Sequence, residues 1–188
     1  VLPVAGTAAN PSESKDNAES QPSEVIRTYK KQTLGILKKS QQGDLTKKEL
    51  AGLRDELVQT LSPIVNFQLM TRSALGPHSR SVSDQQLEEL VSVFKPLVVR
   101  IYTDRLFSYL MSSDKSWSLQ DIEVVGQEIV SGGRYAQIQT LAHVTQGGKK
   151  QKLTLNFKMT RQAENWQVYD IVFEGVSLVE NYRSQFSE

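Results

Sequence analysis

Residues 152–160 read KLTLNFKMT. Leu153, Leu155, Phe157 and Met159 alternate with Thr154, Asn156, Lys158 and Thr160, the period of a pleated strand with one covered and one wet face. Runs of the same period, rich in Val, Ile, Thr and aromatic residues, fill the chain after Trp117. They predict four antiparallel strands, over 122–130, 134–145, 152–161 and 166–173. Turns at Gly132-Gly133, Gly147-Gly148 and Ala163-Glu164-Asn165 join them, and connections this short make neighbours in sequence neighbours in the sheet.

Upstream of Trp117 the period is 3.6. Ile26, Tyr29, Thr33, Ile36 and Leu37 share one helical face between Ser23 and Gly43. Thr46 and Glu49 form a capping box, with Leu45 and Leu50 as its hydrophobic staple, opening a helix whose stripe is Leu50, Leu53, Leu57 and Leu61. Ser62-Pro63 reads as a cap followed by proline at the first helical position, so a third helix is expected from Pro63 to Leu75, stopped by Gly76-Pro77. Ser83 and Gln86 repeat the capping logic and open the longest pattern, Leu87, Leu90, Val91, Phe94, Leu97, Val98, Ile101, Tyr102, Leu106 and Tyr109. Pro96 lies inside it, removing one backbone donor, and either one bent helix or two collinear ones would fit. A last helix is expected over 176–186. A block of helices followed by a block of strands predicts an α+β domain, N-terminal helices packed on one face of a four-stranded antiparallel curved sheet with a C-terminal helix.

The chain has 188 residues, enough for one domain with a substantial core. Residues 1–22 carry little apolar material after Val4 and read as a flexible leader, leaving 23–188 as the single domain. The chain opens on Val1, which fits removal of a preceding segment by signal cleavage or by truncation. No stretch approaches the roughly 18 apolar residues of a membrane-spanning helix. Lys and Arg number 22 against 21 Asp and Glu, and the lysine pairs are scattered rather than gathered on one face, so no nucleic-acid partner is expected. The absence of Cys excludes disulfides, thiolate zinc sites and a thiol nucleophile, and with them the expectation of a lipid anchor on an N-terminal Cys.

Motifs for catalysis are scarce. No zinc-protease histidine pair, nucleophile elbow, phosphate loop or dinucleotide fingerprint occurs, and the two histidines, His78 and His143, offer little material for a metal or nucleophile site. Asp170, between Tyr169 and Ile171, is the best candidate for a buried base. The competing reading has Asp170 accepting hydrogen bonds from nearby backbone or from an arginine such as Arg100 or Arg183. The apolar stripes alone do not distinguish a filled core from a hollow one.

The segment 166–186, WQVYDIVFEGVSLVENYRSQF, resembles the toluene-tolerance family, and two further stretches agree in order and spacing: FQLMTRSALG at 67–76 and LVVRIY at 97–102. The likeness extends from about residue 24 to the end. It implies a periplasmic phospholipid-binding protein, exported by a cleaved signal peptide, that passes lipid between an outer-membrane lipoprotein complex and an inner-membrane ABC transporter with its substrate-binding ring. It implies no enzyme activity and no cofactor beyond the phospholipid carried as cargo. A monomer is expected, with loose headgroup selectivity and surface Lys and Arg used for transient docking.

Exposing one acyl chain of about fifteen methylenes to water costs on the order of 12 kcal/mol at ~0.8 kcal/mol each. A carrier must therefore offer an apolar slot, here expected as an internal cavity between sheet and helices. Its walls are expected from Met70, Phe94, Val98, Ile101, Tyr102 and Leu106 on the helices and from Leu153, Leu155, Phe157 and Val172 on the strands. A charge at Leu155 or Val98 is expected to abolish lipid retention without unfolding the chain. The alternative is a small isomerase or dehydratase, because helices over a curved sheet also build the conical pocket of nuclear-transport-factor-like enzymes. Asp170 and Tyr102 would then be the acid–base pair.

Overall fold

A computed structural model describes residues 21–41, 45–110 and 117–186. Five α-helices and five strands follow in the order α1 (Pro22–Ser40), α2 (Lys47–Leu61), α3 (Phe67–Leu75), α4 (Asp84–Leu110), β1 (Trp117–Val130), β2 (Tyr135–Gln146), β3 (Lys149–Gln162), β4 (Asn165–Phe173), β5 (Val176–Ser177) and α5 (Leu178–Phe186). The strands form one antiparallel sheet in sequence order. The α+β class, the helices on one face and the four hairpin-linked strands agree with the sequence. The two-residue fifth strand is an addition.

Helix starts follow local chemistry where a cap is written in the sequence. Thr46 and Glu49 make the reciprocal capping box of α2, and Ser83 and Gln86 do the same before α4, at 2.9 and 3.2 Å. α4 runs unbroken through Pro96, with Ser92 turning its hydroxyl back to the Glu89 carbonyl. α1 begins one residue earlier than expected, with Pro22 buried in its first turn. Gln21 hydrogen-bonds Gln127 of β1, so positions 21 and 22 belong to the domain. The rest of the predicted leader lies outside the described residues.

The third helix departs from expectation. Pro63 opens only a 3-10 turn over Ser62–Ile64, and α3 starts at Phe67 under an Asn66 cap. Between them Val65 is extended and bridges Val168 of β4 in parallel, while the Asn66 N–H donates to the Val168 carbonyl at 2.8 Å. The sheet thus overrides a local start signal, because pairing with the open edge of β4 satisfies backbone groups that a helix would leave free there. β5 covers the other end of the same edge. It pairs across a two-residue turn in which Glu174 (φ 47°) and Gly175 (φ 80°) both take left-handed conformations.

Three bulges curve the sheet. One residue is extra at Gln120 and another at Val125 in β1, and Tyr169 is extra in β4, where Lys158 pairs with Asp170 but Met159 with Val168. The inner face of β2, Ala136, Ile138, Thr140, Ala142 and Val144, is buried. Its upper part packs with Ile26 of α1, Ile64, Met159, Trp166 and Val168. A second cluster joins α3, α4 and α5 through Phe67, Met70, Ala74, Phe94, Val98, Leu178, Val179 and Tyr182. A third joins Ile36, Leu37, Leu57 and Phe107, with Leu119 of β1 against it.

α5 is held to the sheet by one carboxylate. Asp170, 1% exposed, accepts from the Ser177 hydroxyl at 2.7 Å, the Val179 N–H at 3.1 Å and the Lys158 ammonium at 3.0 Å. Ser177 in turn caps α5 through the Glu180 N–H. Removing one partner of a buried ion pair leaves the other and its donors unsatisfied. D170A is expected to destabilise the fold by about 3 kcal/mol, and D170N, which keeps one acceptor oxygen, by less. Urea denaturation checks this, and an unchanged midpoint in D170A would remove Asp170 from this role.

Candidate functional site

β3 is a central strand, yet its inner face is covered unevenly. Met159 at one end is fully buried under α1 and the Ile64 turn, whereas Phe157, Leu155 and Leu153 toward the other end are only half-buried. Their cross-strand partners follow the same gradient: Val168 is buried, Ile171 half-buried and Phe173 48% exposed. Apolar side chains in the middle of a sheet that remain half-accessible mark a place where no helix lies directly on them.

α4 carries most of the helical residues expected in the wall. Phe94 and Val98 anchor it in the helical cluster, Phe94 edge-on to the Tyr182 ring at 4.9 Å, and Phe107 anchors its far end against α1 and α2. Ile101 and Tyr102 lie on the span between those anchors. Ile101 is half-buried, Tyr102 is 38% exposed, and neither belongs to any of the three buried clusters. Leu153 and Leu155 also stand outside all three. Partly accessible apolar side chains thus occur on both β3 and α4, outside the three packed clusters.

The expected wall residues divide accordingly. Leu153, Leu155, Phe157, Ile101 and Tyr102 are accessible, while Met70, Phe94 and Val98 are buried parts of a filled helical core. The side chain of Leu106 lies outside the described residues. Val172 does not share the inner face of β3 with Leu155 and Phe157. It pairs with Asn156 and Ser177 on the outer face, because the extra residue at Tyr169 reverses the alternation of β4. Ile171 and Phe173, opposite Phe157 and Leu155, take the inner positions instead. The signal available in the sequence was Asp170 itself: strict alternation would put this carboxylate beside Trp166 and Val168 on the apolar face.

Two hollows lie elsewhere. One of about 280 Å³ opens at the sheet between Gln137, Asn156, Phe157, Lys158, Val172 and Glu180. The other, about 350 Å³, is a groove beside α4 at Val82, Leu90 and Val93. The internal cavity expected between sheet and helices is neither of these.

Burial perturbs two phenols on the helices, Tyr102 of α4 and Tyr182 of α5. Burial pushes the Tyr102 phenol up, with the neighbouring Tyr182 adding to it and Arg105 opposing. Burial likewise raises Tyr182, again against Arg105. Both phenols therefore stay neutral at physiological pH. No hydrogen bond joins Tyr102 to Asp170 among the described residues. The three donors on Asp170 come from backbone, hydroxyl and lysine rather than from Arg100 or Arg183, and Arg183 instead donates to the Ser73 carbonyl at 2.8 and 3.1 Å. His143 meets Glu123 at 2.8 Å and His78 is exposed in the 3-10 turn of Gly76–Ser81. Among the described residues no three His, Cys, Asp or Glu side chains gather where a metal ion could bind.

A family model described as MlaC protein matches residues 27–188. The intermembrane phospholipid transport system binding protein MlaC of Haemophilus influenzae is 26% identical over 131 residues, 69% of this chain and 56% of that relative. The match thus spans little more than half the relative's length. Among solved structures, the phospholipid-binding protein from Ralstonia solanacearum, solved in complex with a phospholipid, superposes with a TM-score of 0.64. That superposition covers 89% of this chain and 86% of the other at 19% identity, a likeness of fold. With a family model matching all but the first 26 residues, the chain belongs to the MlaC family.

Proposed function

We propose that this chain is a periplasmic phospholipid carrier that lays acyl chains in the cleft between the inner face of β3–β4 and the Ile101–Tyr102 span of α4. The observation that supports the reading is the half-exposure of Leu153, Leu155 and Phe157 on a central strand whose neighbour β2 is buried. An acyl chain laid along them covers apolar surface that the fold leaves open. Each methylene so removed from water contributes about 0.8 kcal/mol, which is what makes transfer out of a bilayer feasible. The relatives' names, which speak of phospholipid binding and intermembrane transport, agree with this chemistry.

Phe173 and Tyr102 at the proposed margins of the cleft are exposed, so the headgroup stays in water and needs no matched charge. Loose headgroup selectivity follows, with the phospholipid as cargo and no further cofactor. Within the proposal, the exchange partners are the inner-membrane ABC transporter complex with its substrate-binding ring and the outer-membrane lipoprotein complex. The chain acts as a monomer, delivered to the periplasm by a cleaved signal peptide. An enzymatic role for Asp170 has less support, since its oxygens are engaged in holding α5 to the sheet.

Native mass spectrometry of the purified chain is expected to show stoichiometric bound phospholipid, identified after solvent extraction. A lipid-free mass with no uptake from liposomes would refute the carrier reading. L155D is expected to lose the lipid while keeping its circular dichroism spectrum, because the site is half-exposed and the carboxylate can reach water. V98D is expected to unfold instead, because Val98 is 6% exposed in a filled core and an unpaired charge there costs several kcal/mol. Lipid retained by a folded L155D would sink the wall assignment.

A further inference from the structure

α4 has a second apolar row. Leu87, Phe94 and Val98 are buried on its core side, whereas Leu90, Val93 and Leu97, about a quarter turn round the helix, stay 39%, 68% and 36% exposed. Their alternate spacing of three and four residues is that of a heptad seam, the pattern by which one helix receives another. Beside the first turns of this row lies the groove of about 350 Å³, lined by Val82, Gln86, Glu89, Leu90 and Val93. At the other end the row is closed, because Asp104, one heptad past Leu97, pairs with Arg54 of α2 at 3.0 Å. The open row thus runs from Gln86 to Arg100, about 21 Å at ~1.5 Å per residue.

Two charges mark the ends of the open row. Glu89, one turn before Val93, lines the groove, and Arg100 stands one turn after Leu97, both exposed. About 16 Å separates them along the helix axis. Neither has an ion-pair partner among the described residues, whereas Asp84, Asp104 and Lys95 of the same helix are engaged by Arg72, Arg54 and the Phe67 ring. An occupant that satisfies both carries a base opposite Glu89 and an acid opposite Arg100. Acids favour the N-terminal turns of a helix and bases the C-terminal turns, so an ordinary helix meets both charges only when it runs antiparallel to α4. The apolar surface that the row leaves open is on the order of 200 Å², well below the ~800 Å² per partner of a stable interface. That area suits one docked helix in a reversible contact and falls short of a stable dimer of this chain.

We propose that the Leu90–Val93–Leu97 row of α4 docks a single amphipathic helix of a partner protein. The partner helix runs antiparallel to α4, its apolar stripe on the row, its acidic N-terminal half against Arg100 and its basic C-terminal half against Glu89. The inference rests on the carrier reading for its purpose, since a carrier that exchanges cargo with membrane complexes needs contacts that form and release. A short seam with a charge at each end does this, because rim charges steer approach and fix orientation more than they add affinity. No residue of the row is among those proposed to line the lipid cleft, so the two sites are tested separately.

Two synthetic helical peptides, each about four turns long with Leu at the heptad a and d positions, probe the row. One carries Glu in its N-terminal half and Lys in its C-terminal half, and the other carries the reverse. Fluorescence anisotropy with the full chain is expected to show the first binding about tenfold tighter than the second. E89K/R100E is expected to invert that preference. V93D, altered at a position 68% exposed, is expected to lose both peptides with an unchanged melting temperature. Binding of neither peptide, equal binding of the two, a preference that E89K/R100E leaves in place, or a V93D that binds like the wild type would each overturn the proposal. Self-association of the wild type in sedimentation velocity, lost in V93D, would also overturn it and give the row to a second copy. The lipid content of the same preparations, read by mass spectrometry, is independent: cargo without peptide binding removes only the docking row, whereas peptide binding without cargo removes only the carrier reading.

Discussion

Asp170 sits where four pieces of the chain meet. Its carboxylate receives Lys158 from β3, Ser177 from β5 and the first turn of α5, all from a position 1% exposed on β4. α5 in turn carries Tyr182, whose ring is packed edge-on by Phe94, and Arg183, which holds the last turn of α3. The helical layer is thus tied to the sheet at one edge by a buried ion pair. A buried charge is costly unless every partner is in place, so the arrangement specifies a single seating of α5. Where α4 stands above the sheet follows from that seating.

The half-exposure of the β3 inner face is the complement of this rigidity. Each end of α4 is committed to a packed cluster, Phe94 and Val98 at one end and Phe107 at the other. Ile101 and Tyr102 lie on the span between, and the sheet beneath β1 and β2 is already covered by α1 and its neighbours. What remains uncovered is the inner face of β3 and β4 around Leu155. The fold would bury more apolar surface if this region closed, and leaving it half-exposed forgoes about 25 cal/mol per Å². On the proposed carrier reading, a lipid tail laid there would recover that stabilisation.

Much of the architecture was legible in the residues. Reciprocal caps at Thr46–Glu49 and Ser83–Gln86 act within one turn of chain, and the glycine turns at 132–133 and 147–148 supply the left-handed conformations that tight hairpins need, so local sequence is enough for both. The alternation of β3 placed Leu153, Leu155 and Phe157 on one face, and the structure agrees. The site was legible only in part. Met70, Phe94 and Val98 have the same apolar pattern as Ile101, yet pack into a filled core. Periodicity reports which face is apolar and not what lies against it.

Sequence by itself determined the element types, the antiparallel order of the sheet and the apolar faces, because propensity, capping and alternation operate over a few residues. Tertiary structure decided the rest. The bulge at Tyr169 turned Val172 outward and brought Ile171 and Phe173 in, and Val65 joined the edge of β4 in place of starting a helix at Pro63. Both choices satisfy backbone and carboxylate groups with partners about a hundred positions away in one case and on a neighbouring strand in the other. No local pattern encodes such partners, and the half-covered face of β3 exists only once they have met.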